Sequence, residues 1–84
     1  MELLFVVEHS FFLDGVGLVL GPGVERALEP GIPLFLVRPN GTHATAVVRP
    51  LSTRASPLPT RPIAVDLGPD EAPDGTRVFA AKGT

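Results

Sequence analysis

The chain has 84 residues, 44% hydrophobic and 19% charged, with ten Pro, nine Gly, no Cys, no Trp and a formal net charge of −2. That length suits one domain with a thin core, and the apolar content is too high for a disordered chain. The missing cysteines exclude disulfide staples and thiolate metal sites, and the small net charge excludes a global pull toward nucleic acid.

Leu3-Leu4-Phe5-Val6-Val7 is a continuous apolar run of residues that favour a pleated surface. Glu8-His9-Ser10 interrupts it and Phe11-Phe12-Leu13 resumes it. The pattern predicts one long first strand with an irregularity, such as a bulge, near Glu8 to Ser10. Met1 to Leu13 has a faint likeness to a signal peptide. It lacks a basic start, carries Glu2, and is broken by Glu8-His9. No run reaches the roughly 18 apolar residues of a membrane-spanning helix. The expectation is a soluble, cytoplasmic protein with no membrane partner.

Asp14-Gly15 between two apolar runs is a hairpin signal and predicts a type I′ turn. In the second strand Val16, Leu18 and Leu20 share one face. Gly17 leaves one side of that strand bare, which suits a tight bend or a passing backbone. Gly21-Pro22-Gly23 is expected to end the strand, because Pro22 cannot donate to a ladder. Val24 to Ile32 is a connector. Its Val24–Glu29 stretch is too short for a stable isolated helix and is stopped by Pro30-Gly31.

Leu34 to Val37 is a third strand, apolar on both faces. Pro39-Asn40-Gly41 predicts a type I turn with Gly41 in the left-handed position of a following bulge. The fourth strand, about Thr42 to Leu51, sets Ala44, Ala46 and Val48 on one face and Thr45, Val47 and Arg49 on the other. Ser52 to Pro62 is a Pro/Ser/Arg-rich loop. Ile63, Val65 and Leu67 alternate with Ala64, Asp66 and Gly68, as in a half-buried fifth strand. Gly68 to Thr76, including Gly75, is dense in turn formers and acids. Arg77 to Ala81 is the last strand. Many short strands with Pro/Gly-rich turns predict an all-β fold. The expected architecture is a single domain over residues 1–84: a closed or nearly closed antiparallel β-barrel of about six strands.

The order of these features resembles the second domain of the translational GTPases, the β-barrel of elongation factor Tu. The matching stretches are the apolar first strand ending in Phe12, then Gly15-Val16-Gly17-Leu18-Val19-Leu20. Gly23-Val24, Gly31, the Pro39-Asn40-Gly41 hairpin, and Gly75-Thr76-Arg77-Val78 after an acidic segment complete the set. The likeness runs from about Leu3 to Phe79. The family usually has a basic residue where Val16 stands, and often residues other than Pro22 and Pro33. The resemblance implies a translation-protein-like barrel that contacts ribosomal RNA or the acceptor end of tRNA. No phosphate-binding G-x-x-x-x-G-K-[ST] stretch is present, so no nucleotide is expected.

Chemistry-bearing residues are few. His9 and His43 are the only imidazoles, and Glu8-His9 is a poor start for a metal site. Ser10, Ser52 and Ser56 lack a nucleophile-elbow setting. Asp70, Glu71 and Asp74 sit among turn formers, where acids cap backbone amides. Asn40-Gly41-Thr42 matches a glycosylation sequon and reads as a hairpin turn. No catalytic residue, cofactor or metal is expected, and the chain is not expected to be an enzyme.

The charge distribution is more telling than its sum. Residues 1–29 hold Glu2, Glu8, Asp14, Glu25 and Glu29 against Arg26, a net of −4. Residues 30–65 hold Arg38, Arg49, Arg54 and Arg61 and no acid, a net of +4. Arg49, Arg54 and Arg61 border and populate the long loop and are the candidate binding residues, since guanidinium forks suit phosphate or carboxylate. Two readings stay open for them: a docking site for RNA or an acidic protein, or a solvated loop paired to the protein's own acids. The expected role is a stand-alone binding module that contacts RNA, the ribosome or a translation-related protein. The alternative is a structural or protein-interaction module, a homo-oligomer or partner subunit, with Phe11, Phe12 and Phe79 as its surface.

Overall fold

The alternating runs become seven strands: β1 (Glu2–Val6), β2 (His9–Leu13), β3 (Gly17–Val24), β4 (Pro33–Val37), β5 (His43–Arg49), β6 (Arg61–Val65) and β7 (Arg77–Ala80). They belong to a computed structural model that describes residues 1–25, 28–50 and 61–81. No helix occurs among the described residues, and none is long and apolar enough to cross a membrane. All strand pairs are antiparallel, in the order β1-β7-β4-β5-β6-β3-β2.

The two ends of that order are consecutive stretches of one chain. Val7 N–H donates to the Thr76 carbonyl at 2.8 Å, and Gly75 N–H donates to the Val7 carbonyl at 2.8 Å. One residue later, Glu8 N–H donates to the Gly21 carbonyl at 2.9 Å. The first strand therefore leaves β7 for β3 within a single peptide step, and the sheet curls into a nearly closed barrel. The irregularity expected near Glu8 to Ser10 is this corner. Counted as one bent strand, β1 and β2 give the expected six.

Leu18 and Leu20 of β3, Leu34 and Leu36 of β4, Val48 of β5, Ile63 and Val65 of β6, and Val78 of β7 meet in one core. Each is at most 5% exposed. Burying side chains of this size stabilises by about 1.5–3 kcal/mol apiece. The fourth predicted strand alternates as expected: Ala46 and Val48 are buried, while Thr45, Val47 and Arg49 are exposed. Thr76, the one buried polar side chain among the described residues, donates its hydroxyl to the Pro73 carbonyl at 2.6 Å.

Gly17 shows why the barrel can be this tight. A Cβ built there would stand 2.2 Å from the Val65 carbonyl oxygen. The backbones of β3 and β6 meet at a point that only hydrogen can occupy, as the bare side at Gly17 predicted.

Three local expectations need correction. Val16 N–H closes on the Leu13 carbonyl at 3.1 Å, and Gly15 has φ 81°, but Asp14 is not in the positive-φ region. The turn therefore follows the type II pattern, with one left-handed residue at its second central position, and not type I′. Pro22 does not end its strand, because β3 continues to Val24. Four residue steps on β3, Leu20 to Val24, match two on β6, Ile63 to Arg61. A bulge of this kind absorbs a proline that cannot donate. Ala64 is fully buried where the alternation left it to solvent. It lies in the ladder between Val19 and Arg49, and a methyl between two larger side chains is enclosed by them. The Pro39-Asn40 turn closes as predicted, with Gly41 N–H on the Arg38 carbonyl at 2.9 Å and Gly41 at φ 88°.

Candidate binding surfaces

Of the three candidate arginines, Arg49 ends β5 and Arg61 begins β6, and both are exposed. Arg54 lies outside the described residues. Arg49 stands opposite Ala64, so Arg61 is three residues further along β6, about 10 Å at strand rise. By alternation Arg61 leaves β6 on the face opposite to Ala64, and Arg49 shares the Ala64 face. That separation exceeds the screening distance of about 8 Å at physiological salt. Among the described residues neither guanidinium makes a hydrogen bond or an ion pair, so neither is spent on the protein's own acids.

Arg38, which sequence reasoning did not single out, is spent. Its Nε donates to the Glu71 carbonyl at 2.6 Å, and a terminal nitrogen donates to Thr42 Oγ1 at 3.2 Å. It ties the β4–β5 hairpin to the acidic segment before β7. The signal was its place directly before the Pro39-Asn40-Gly41 turn. Asn40 caps the same turn, its Oδ1 accepting from Thr42 N–H at 3.0 Å.

The acids likewise serve backbone groups. Asp66 Oδ1 accepts from Val47 N–H at 2.7 Å, which continues the short β5–β6 ladder beyond Val48. Glu71 caps Gly68 N–H, as an acid among turn formers should. Gly75 has φ 92° and donates to Val7 at the corner. His9 and His43 are exposed, Ser10 is half-buried in β2, and Ser52 and Ser56 lie outside the described residues. No group of three or more His, Cys, Asp or Glu among the described residues could hold a metal ion.

The second surface is apolar. No residue of β2 is buried: Phe11 is 51% exposed, Phe12 41% and Leu13 39%. Phe12 opposes Leu18 and so has the parity of the core face, yet it stays exposed. The cause is the corner. Past Val7 the chain has left β7, so β2 keeps a strand neighbour on its β3 side only, among the described residues. Phe79 does not join this surface. It sits half-buried between Leu3 of β1 and Phe35 of β4.

No protein-family model matches the sequence, and no curated protein or solved structure matches the chain.

Proposed function

We propose that the protein is a non-catalytic protein-interaction module whose contact strand is β2. One observation carries this reading: a five-residue strand with no buried residue, three large apolar side chains, and one strand neighbour among the described residues. An open strand edge is a template for another chain, and Phe11 and Leu13, which share one face of β2, set two large exposed apolar side chains side by side. The barrel behind it leaves side chains on both faces of β2 exposed, Phe11 and Leu13 on one and Phe12 on the other. The test is cross-linked capture with wild-type protein and a Phe11→Ser/Leu13→Ser variant. Capture of a protein chain that the variant loses, with an unchanged melting temperature, supports the reading. Equal capture by both removes it.

A second reading is favoured by the two free guanidiniums. In it, Arg49 and Arg61, with Arg54, contact RNA or an acidic protein, as the resemblance to the elongation factor barrel implies. Its support is that neither described guanidinium is paired internally, while Arg38, Asp66 and Glu71 are. A ribosome or RNA pull-down separates the two readings, because only the second is sensitive to arginine replacement.

A further inference from the structure

Given β2 as the contact strand, the reading on which this rests, we propose that its partner is an extended segment of another protein with two lysines or arginines six residues apart. The segment pairs antiparallel along Glu8 to Asp14 and is apolar between its basic ends. Those seven residues of β2 and its flanks span about 20 Å at strand rise. His9 to Leu13 ladder to β3 on one edge, from His9 with Gly21 to Leu13 with Gly17, and close the strand order on the other. The peptide groups of every second residue therefore point away from β3. Glu8 and Asp14 stand exposed at the two ends of this edge, and among the described residues neither carboxylate makes a hydrogen bond or an ion pair. Residues 1–25, all described, contain no lysine or arginine. The strand behind, β3, is uncharged over its whole length. Arg61 of β6 pairs with Val24, past Gly21 where the β2–β3 ladder stops. The edge is thus apolar in the middle and anionic at both ends.

That pattern specifies the occupant position by position. Adding a strand to an open edge gives affinity through the main chain and specificity through alternate side chains. In an antiparallel guest centred on Phe11, the first residue faces Asp14 and the seventh faces Glu8. Opposite charges directly across a strand pair are favourable, so both positions ask for lysine or arginine. The second, third and fourth face Leu13, Phe12 and Phe11. Aromatic with β-branched pairs are favourable, so these ask for valine or isoleucine. The fifth faces Ser10, where threonine can hydrogen-bond across the pair. The sixth faces His9, whose ring lies over Gly21 of β3, a position where a Cβ would meet its Nε2. A second copy of β2 is the wrong guest, because it brings Asp14 to Glu8 and Glu8 to Asp14.

The test uses the ¹⁵N-labelled full chain and three capped synthetic heptapeptides. They are Lys-Val-Ile-Val-Thr-Thr-Lys, the same with Glu at both ends, and the reordered Val-Ile-Lys-Val-Lys-Thr-Thr. The first is expected to shift the amides of His9 to Leu13 saturably, and the other two to bind more weakly. Glu8→Gln with Asp14→Asn, two exposed positions outside the core, should weaken the first peptide about two- to thirtyfold, the worth of two exposed ion pairs. The melting temperature of that variant should match the wild type. Four results overturn the proposal: no shift at about 1 mM of the first peptide, the weak end of measurable affinity; equal binding of the glutamate peptide; equal binding of the reordered peptide; or unchanged binding by the Gln/Asn variant. Any of these, with capture of a protein chain still lost in Phe11→Ser/Leu13→Ser, leaves β2 a contact strand for a partner of other chemistry. Equal capture by that variant and the wild type, with no peptide shifting β2, removes both the partner and the contact strand.

Discussion

Gly17→Ala, set beside Gly15→Ala, tests whether the barrel closes as described. Both glycines have positive φ, 126° at Gly17 and 81° at Gly15. Their surroundings differ. A Cβ at Gly15 meets nothing within 4 Å, and one at Gly17 stands 2.2 Å from the Val65 carbonyl oxygen. Gly15→Ala therefore costs backbone strain only, about 1–2 kcal/mol. Gly17→Ala adds to a strain of about 1–3 kcal/mol the cost of pushing β3 off β6, about 1–3 kcal/mol more. The push falls beside Leu18 and Val65, ladder partners that are both fully buried. A domain of this length holds roughly 4–13 kcal/mol in total, so Gly17→Ala removes a large share. At about 4–8 °C per kcal/mol, Gly15→Ala should melt about 4–16 °C low. Gly17→Ala should melt lower still or fail to fold at 37 °C. Circular dichroism melts and urea midpoints read both variants. If Gly17→Ala is as stable as Gly15→Ala, the close approach of β3 to Val65 is wrong.

Asp66→Ala should cost about 0.5–1.5 kcal/mol by stripping the acceptor from Val47 N–H. Hydrogen exchange at Val47 should quicken in that variant, while Asp66→Asn keeps the acceptor and most of the protection. Arg38→Met removes the donors that bind Glu71, Thr42 and His43. It should lower the urea midpoint by the equivalent of about 1–2 kcal/mol and speed exchange in the Gly68 to Gly75 segment; unchanged exchange there would show that the tie is not made in solution. If RNA binds, changing Arg49, Arg54 and Arg61 to Ser should abolish binding. The wild-type slope of log affinity against log salt should be shallow, near −2 to −3 for at most three phosphates. A steep slope, or a triple variant that binds as well as wild type, defeats the arginine reading.

What the sequence revealed was whatever is encoded within a few residues. Pro39-Asn40-Gly41 closes as its types demand, because a turn is specified by the φ angles its own residues tolerate. Ala46 and Val48 point inward because period-two alternation is local. Gly17 was legible as a bare spot, and Val65 supplied the backbone that fills it. What escaped depends on partners distant in the chain. Glu8-His9-Ser10 marked an irregularity, but a corner that trades β7 for β3 needs Thr76 and Gly21, 68 and 13 residues beyond Glu8 in the numbering. Ala64 read as solvent-facing because Val19 and Arg49, its ladder neighbours, lie 45 and 15 positions before it. Pro22 read as a stop because a bulge shows only when two strands are counted against each other. Arg38 looked like its three fellows until Glu71 was placed beside it.

The exposed β2 strand does not simply pair with a second copy of itself, and its flanking acids supply the reason. An antiparallel pair of β2 strands that uses the whole strand is centred on Phe11. It sets His9 against Leu13 of the second copy, and Glu8 against Asp14. By two-fold symmetry that like-charge opposition occurs twice, and directly opposed like charges destabilise a sheet by up to about 1 kcal/mol each. Acids at the ends of an apolar edge are a common guard against such pairing. They also select the sign of a partner that does bind. Glu8→Lys reverses the argument, because each opposition becomes a lysine–aspartate attraction across the strands. The swing over two pairs is about 1–3 kcal/mol, or roughly five- to 150-fold in the dimer constant. Glu8 is exposed and keeps its backbone bond to Gly21, so the fold should survive the change. Sedimentation velocity over a concentration series should show the wild type monomeric where Glu8→Lys is dimeric. A wild type that already dimerises through β2, or a Glu8→Lys variant no more associated than wild type, would show that charge does not guard this edge.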